Sequence, residues 1–460
     1  MAKRPILLFG KPNKADKSKR PGGPSSFQKP SHLRQTARLA PIMNALQSAV
    51  ATMKTSPMGI EAEKTLVFDV IGGNMDSFYT AVKNLGDDAE WIFDMPEEFA
   101  VSDDFYVTKE DKKTKEHVRD DSKKVIGGKV YCVLSNIRAM EEVISLWESY
   151  GRDKNTKFPE GKTGLRDVFD SLENISFWGY KQRIEETGIL ESWKEDLADT
   201  SLGDVKCEFE LFYRNDASKR SKYEQELRNE IDALGGRVLD VSVIPEIAYH
   251  SVLASVPRTV AESIINGNQN ISIVIAEQIM FFRPVGQSVV VPKENSFDGD
   301  FAIPSADGIG EEPVIALFDG LPQENHQYLK DRLIVDDPDG YASEYVVDAR
   351  KHGTAMTSQI TLGDLSKIDN AISRKIYVRP IMKPSPYLDD YREQVPDDSL
   401  LVDKIFVAVR RLFEGEEAVA PNVKVINLDS TPKVVEKVRK DKKRRGSACQ
   451  RQGKFLKQNL

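Results

Sequence analysis

PVIALFDGLPQENH, residues 313–326, and ARKHGTAMTSQI, residues 349–360, are the stretches whose reading decides the fold. The first begins with a short apolar run, Pro313 to Phe318, enriched in Val and Ile and closed by Asp319-Gly320. That length and composition predict a strand buried on both faces, as in a parallel sheet. Asp319 stands where the strand must end, and in open α/β sheets the functional crevice lies at those carboxyl ends, where loops vary while buried strands cannot. Thirty-three positions on, His352 opens a segment whose small residues Gly353, Thr354 and Ala355 predict a helix lying close against the sheet. An imidazole at that helix start can meet the Asp319 carboxylate across the crevice. The plainer alternative is a strand closed by an Asp-Gly turn, with an unrelated surface histidine further on.

Working outward, α/β alternation continues downstream. KIYVRPI (375–381) reads as a strand, DKIFVAVRRLF (403–413) as a helix and VKVINL (423–428) as another strand. Strands alternating with helices predict a doubly wound parallel sheet across 313–428. The DDPDG stretch at 336–340 has part of a calcium loop's composition but too few ligands at the right spacing, so a plain turn is expected. Upstream, residues 285–312 are rich in Pro and Gly and read as an exposed linker, the place where processing of the chain would fall.

Residues 205–284 form the most regular module. VKCEFELFY alternates, placing Val205, Cys207, Phe209, Leu211 and Tyr213 on one sheet face and charges on the other. Tyr223, Leu227, Ile231 and Leu234 make a helical stripe that stops at Gly235-Gly236. RVLDVSVI and AYHSVLASV follow as strands, RTVAESIIN as a helix and ISIVIAEQIMFF as a last strand. The order βαββαβ is that of a ferredoxin-like fold. His250, within a strand, reads as a structural histidine. A helical linker spans 151–204; its aromatic SFWGYKQRIEETGILESW suits packing between modules or a contact surface.

Residues 61–150 predict a further small α+β module, with strands at TLVFDVI, AEWIF and GKVYCVLS. Between the last two, KEDKKTKEHVRDDSKK is an exposed charged excursion. A helix follows in which Ile137, Met140, Val143, Ile144 and Trp147 recur at core spacing behind a Ser135-Asn136 cap. Residues 1–60 read as a basic, largely disordered arm, with His32 solvated, and residues 429–460 as a basic, atypical tail.

Asp319, His352 and their setting resemble the subtilisin-like serine peptidases. In that family the triad runs Asp, His, Ser, with roughly 30 residues from Asp to His and roughly 150 from His to Ser. Asp319 matches the family aspartate and His352 the histidine of the His-Gly-Thr motif. Two departures are visible: Gly320 follows the aspartate directly where one small residue usually intervenes, and Met356 stands where a β-branched residue is usual. The RPILLFGKPNK start, the FWGYKQRIEETGILESW segment and the EIAYHSVL strand pair are less specific points of similarity. The resemblance implies a partial subtilisin-like domain at 313–428, catalytic roles for Asp319 and His352, and a propeptide-like role for 205–284. It also implies that the nucleophile motif would fall beyond position 500, so a truncated or frame-shifted, inert peptidase is expected. Ser358, six residues into the helix from His352, and Ser430, after the last strand, are not candidates for it.

Bulk properties narrow the alternatives. The chain has 460 residues, enough for about three domains of ~150. It has 40% hydrophobic and 30% charged residues and no apolar run near the ~20 residues that span a bilayer. Three scattered cysteines and five histidines give no disulfide framework and no metal site, and a cytoplasmic setting is expected. No cofactor is implied. Residues 1–40 carry ten Lys or Arg against one Asp, and 429–460 eleven against three. Neither end interleaves aromatics with bases as single-strand binders do, which argues against nucleic acid as the partner. Protein or peptide substrates are the expected partners, with no membrane contact. A non-catalytic interaction or inhibitor protein built from α+β modules is the competing reading.

Overall fold

The computed structural model describes residues 27–55, 63–72, 76–111, 113–200, 203–285, 305, 308–363, 371–384, 393–415 and 418–428. The basic tail with Ser430, the arm before residue 27 and most of the 285–312 connection lie outside them. The described chain is mixed α/β and gathers into two compact units, one holding 27–186 with 274–280, the other 187–273 with 281–428. Among the described residues no helix is long and apolar enough to cross a membrane.

The first unit is built on an antiparallel sheet in the order Ala89–Ala100, Val125–Asn136, Glu63–Ile71, Leu172–Phe177. Ile137, Met140, Val143, Ile144 and Trp147 of helix Ile137–Arg152 are all buried in its core, as their spacing predicts. Two segments differ from expectation. Residues His32–Lys54, assigned to a disordered arm, form a helix capped by the Ser31 hydroxyl. Its Leu39, Met43, Leu46, Val50 and Met53 recur every three or four residues and bury into the core, so apolar contact outweighs the local excess of charge. His32 is accordingly held rather than solvated, with Nε2 2.7 Å from the Tyr150 carbonyl. Residues Leu172–Phe177, read as helical linker, pair with Glu63–Ile71 instead, a partner about a hundred residues away that no local pattern announces. The charged excursion is largely exposed where described, but its His117–Arg119 forms a strand paired with Tyr106–Glu110.

In the second unit, four strands lie in the order Ile279–Arg283, Asp204–Leu211, Tyr249–Pro257, Arg237–Ile244. Helices Ala217–Ala233 and Arg258–Ile265 complete a βαββαβ connection. Val205, Cys207, Phe209 and Leu211 are buried as expected. Glu208, placed on the charged face, is buried too, and the last strand begins only at Ile279 because Ser272–Ile275 is a short helix.

The same unit carries a fully parallel sheet in the order Leu333–Val335, Ile376–Pro380, Ile315–Asp319, Val425–Leu428. Leu317, Ile376 and Val378 face Met356 and Ile360 of helix Lys351–Leu362, whereas Ala316, Phe318 and Tyr377 face Ala408 and Leu412 of helix Leu401–Phe413. Helices therefore cover both faces, which is why these strands are mostly apolar. The antiparallel sheet packs Ile244, Ile247 and Tyr249 against Val402 and Phe406 of the second helix. The Asp240 carboxylate accepts the Leu400 N–H at that helix's start, at 2.9 Å, and the Ser242 hydroxyl donates to Asp403 at 2.7 Å.

Candidate active site

The parallel sheet fixes the position of Asp319. It is the last residue of a central strand, in register with Pro380, and its carbonyl accepts the Ile381 N–H at 2.8 Å. Its side chain is fully buried, and Oδ1 accepts the Gly320 N–H at 2.6 Å. His352 lies in the first turn of helix Lys351–Leu362, and its Nδ1 stands 2.6 Å from Asp319 Oδ1. The two residues singled out in the sequence are therefore brought together. In the Nδ1–H tautomer the imidazole donates to this carboxylate, and Nε2 is the basic nitrogen.

Two glycines make this approach possible. A Cβ on Gly353 would stand 2.2 Å from the Gly320 carbonyl oxygen, so only a hydrogen there lets the helix start reach the strand end. A Cβ on Gly320 would stand 1.7 Å from Oε1 of Glu393. A glycine directly after Asp319 thus has a local cause: a carboxyl group fills the space a side chain would need. Met356 has one as well, since it packs on Leu317, Ile376 and Val378 as part of the apolar layer.

Glu393 and Tyr345 complete the site, and neither was picked out in the sequence. Glu393 is buried, and its Oε2 accepts the His352 N–H at 3.0 Å. Arg350, the residue at the helix start, supplies no side-chain cap, so the Glu393 carboxyl satisfies one of the N–H groups a helix leaves unpaired. Its Oε1 lies 2.8 Å from the Tyr345 hydroxyl, which lies 2.9 Å from the Met382 carbonyl. Burial, aided by the Asp319 charge, pushes the Glu393 carboxyl up to about 7 against the pull of Tyr345 and His352. Burial and the Glu393 charge raise the Tyr345 hydroxyl, which therefore stays neutral. The one signal for Glu393 in the sequence is the glycine directly after Asp319; residue 393 itself falls in a Pro-rich stretch of sequence with no periodicity.

The remaining sequence candidates have structural roles. The Ser358 hydroxyl donates to its own helix at Ala355, 2.8 Å away. His250 is fully buried with Nε2 3.5 Å from Glu224, and burial lowers its pKa so that it is neutral at physiological pH. In the 336–340 turn, Asp337 accepts the N–H groups of Tyr341 and Ala342, and Asp336 pairs with Arg411. Among the described residues no cluster of His, Cys, Asp or Glu could hold a metal. Neither family models nor curated proteins provide a match to this chain.

Proposed function

We propose that residues 313–428 form part of a subtilisin-like serine endopeptidase domain, with Asp319 and His352 as its acid–base pair. The observation that carries this reading is the 2.6 Å contact between a buried carboxylate at the carboxyl edge of a parallel sheet and the Nδ1 of an imidazole on the following helix. In such a pair the aspartate holds the imidazole in the Nδ1–H tautomer and stabilises its cation, and Nε2 takes the proton of an attacking hydroxyl. The resemblance puts that hydroxyl roughly 150 residues after His352, on a serine outside this sequence. These residues accordingly handle the proton and do not themselves attack the peptide carbonyl.

The βαββαβ module fits the same reading as a ferredoxin-like, propeptide-like element. What supports this is its docking: an apolar patch on Val402 and Phe406, with Asp240 capping the start of that helix. A contact that satisfies a helix terminus while burying apolar surface would favour the folded helix, as a folding chaperone does.

A fluorophosphonate probe tests the proposal. The 460-residue chain is expected to stay unlabelled, and a version extended through a downstream Gly-Thr-Ser to be labelled at that serine. Labelling of neither would favour the non-catalytic interaction protein.

A further inference from the structure

Tyr345 has one hydroxyl proton and two oxygen neighbours at hydrogen-bond distance, the Met382 carbonyl at 2.9 Å and Glu393 Oε1 at 2.8 Å. The carbonyl can only accept. If the phenol gave its proton to an ionised Glu393, it would face the Met382 oxygen with no hydrogen between them. Every contact is satisfied in one arrangement: Glu393 Oε1–H donates to the Tyr345 oxygen, and the Tyr345 O–H donates to Met382. Glu393 Oε2 meanwhile accepts the His352 N–H. The Leu321 N–H, also directed at the Tyr345 oxygen, fits this count because a phenol oxygen accepts twice.

We infer that Glu393 is a neutral carboxylic acid in the resting site and a positioning residue that regulates the Asp319–His352 pair, its ionisation placing a second negative charge beside the imidazole. This rests on the pair being the acid–base couple proposed above. Among the described residues, the titratable groups facing Glu393 are Asp319 from the strand, His352 from the helix and Tyr345 from the turn before that helix. Lys383, on the short strand paired with Glu393's own, turns instead to Glu344. Among the described residues no lysine or arginine faces it, and the His352 imidazole is the cation beside Glu393. Loss of the Glu393 proton therefore favours the imidazolium, and an imidazole that already holds a proton cannot take one. The two groups titrate as a couple rather than independently.

Glu393→Gln separates the possibilities, because a glutamine amide can donate to Tyr345 and accept from His352 N–H while never ionising. In the full chain, the His352 ring is followed by NMR as pH is raised. The wild type is expected to titrate in two coupled steps. Glu393→Gln should give a single step with proton affinity roughly tenfold or more weaker, and should keep the downfield Nδ1–H resonance. A His352 titration unchanged by Glu393→Gln overturns the inference, as does loss of that resonance. Should the variant not fold, the wild-type chain with ¹³C-labelled glutamate decides: a Glu393 carboxyl midpoint near neutrality supports the inference, and one in the ordinary glutamate range overturns it. Asp319→Asn gives the independent control. If the downfield resonance survives it, the pair itself is wrong, whatever Glu393 does.

Discussion

In the antiparallel sheet of the second unit, two carboxyl groups, Glu208 and Glu210, stand beside one arginine, Arg283; in the parallel sheet, Asp319 and Glu393 stand beside one imidazole, His352. Both clusters are buried and both use a tyrosine: Tyr249 donates to Glu208 at 3.0 Å, and Tyr345 lies against Glu393. The cation differs. A guanidinium is charged at every relevant pH, so the cation of the first cluster is fixed and serves the fold. An imidazole changes charge near neutrality, so the second cluster holds a movable proton. Burying charge around a fixed cation makes a brace, and around a titratable one it leaves the charge state open to change with pH.

The largest effect should come from breaking the brace. Arg283→Met leaves Glu208 and Glu210 buried without their cation and is expected to cost about 3–5 kcal/mol in urea unfolding. A loss under about 1 kcal/mol would mean that the cluster does not depend on its arginine. Next in size is the pH term of Glu393. Its folded pKa, about 7, lies above its ordinary value of 4.5. The folded state therefore holds the proton more tightly, and the stability this contributes is complete below about pH 4.5 and lost as pH rises through 7. The loss amounts to roughly 3 kcal/mol. Burial raises Glu208 in the same direction, so the term is read as the difference between wild type and Glu393→Gln across that range. Equal pH slopes for the two proteins would remove it.

Gly353→Ala should follow at about 1–3 kcal/mol, because its methyl meets backbone oxygen rather than a side chain that can turn away. It should also weaken the Nδ1–H resonance by pushing the helix start from the strand end. Asp319→Asn should change stability least, by about 1 kcal/mol, while abolishing that resonance. The last two together sharpen the contrast: one variant disturbs the pair through packing, the other through charge at nearly constant shape.

The elements around the pair were legible because each is locally consistent. The apolar run ending at Asp319, the small residues after His352 and the segment DKIFVAVRRLF (403–413) all point to their observed states. The failures share a physical cause. Leu172–Phe177 is a strand only because Glu63–Ile71 lies beside it, and Glu208 is buried only because Tyr249 and Ser251 satisfy it. Segment His32–Lys54 differs: its apolar seam is present in the sequence, but it lies in a basic stretch whose composition points to a solvated arm.

Residue spacing and strand patterning by themselves determined that a carboxylate would end a buried parallel strand and that an imidazole would begin a nearby helix. Only the tertiary structure decided that the two touch, that Gly320 and Gly353 make room for the contact, and that Glu393 closes the site. Periodicity records which face of an element is apolar, whereas the protonation of a buried carboxyl depends on every group that folding brings around it.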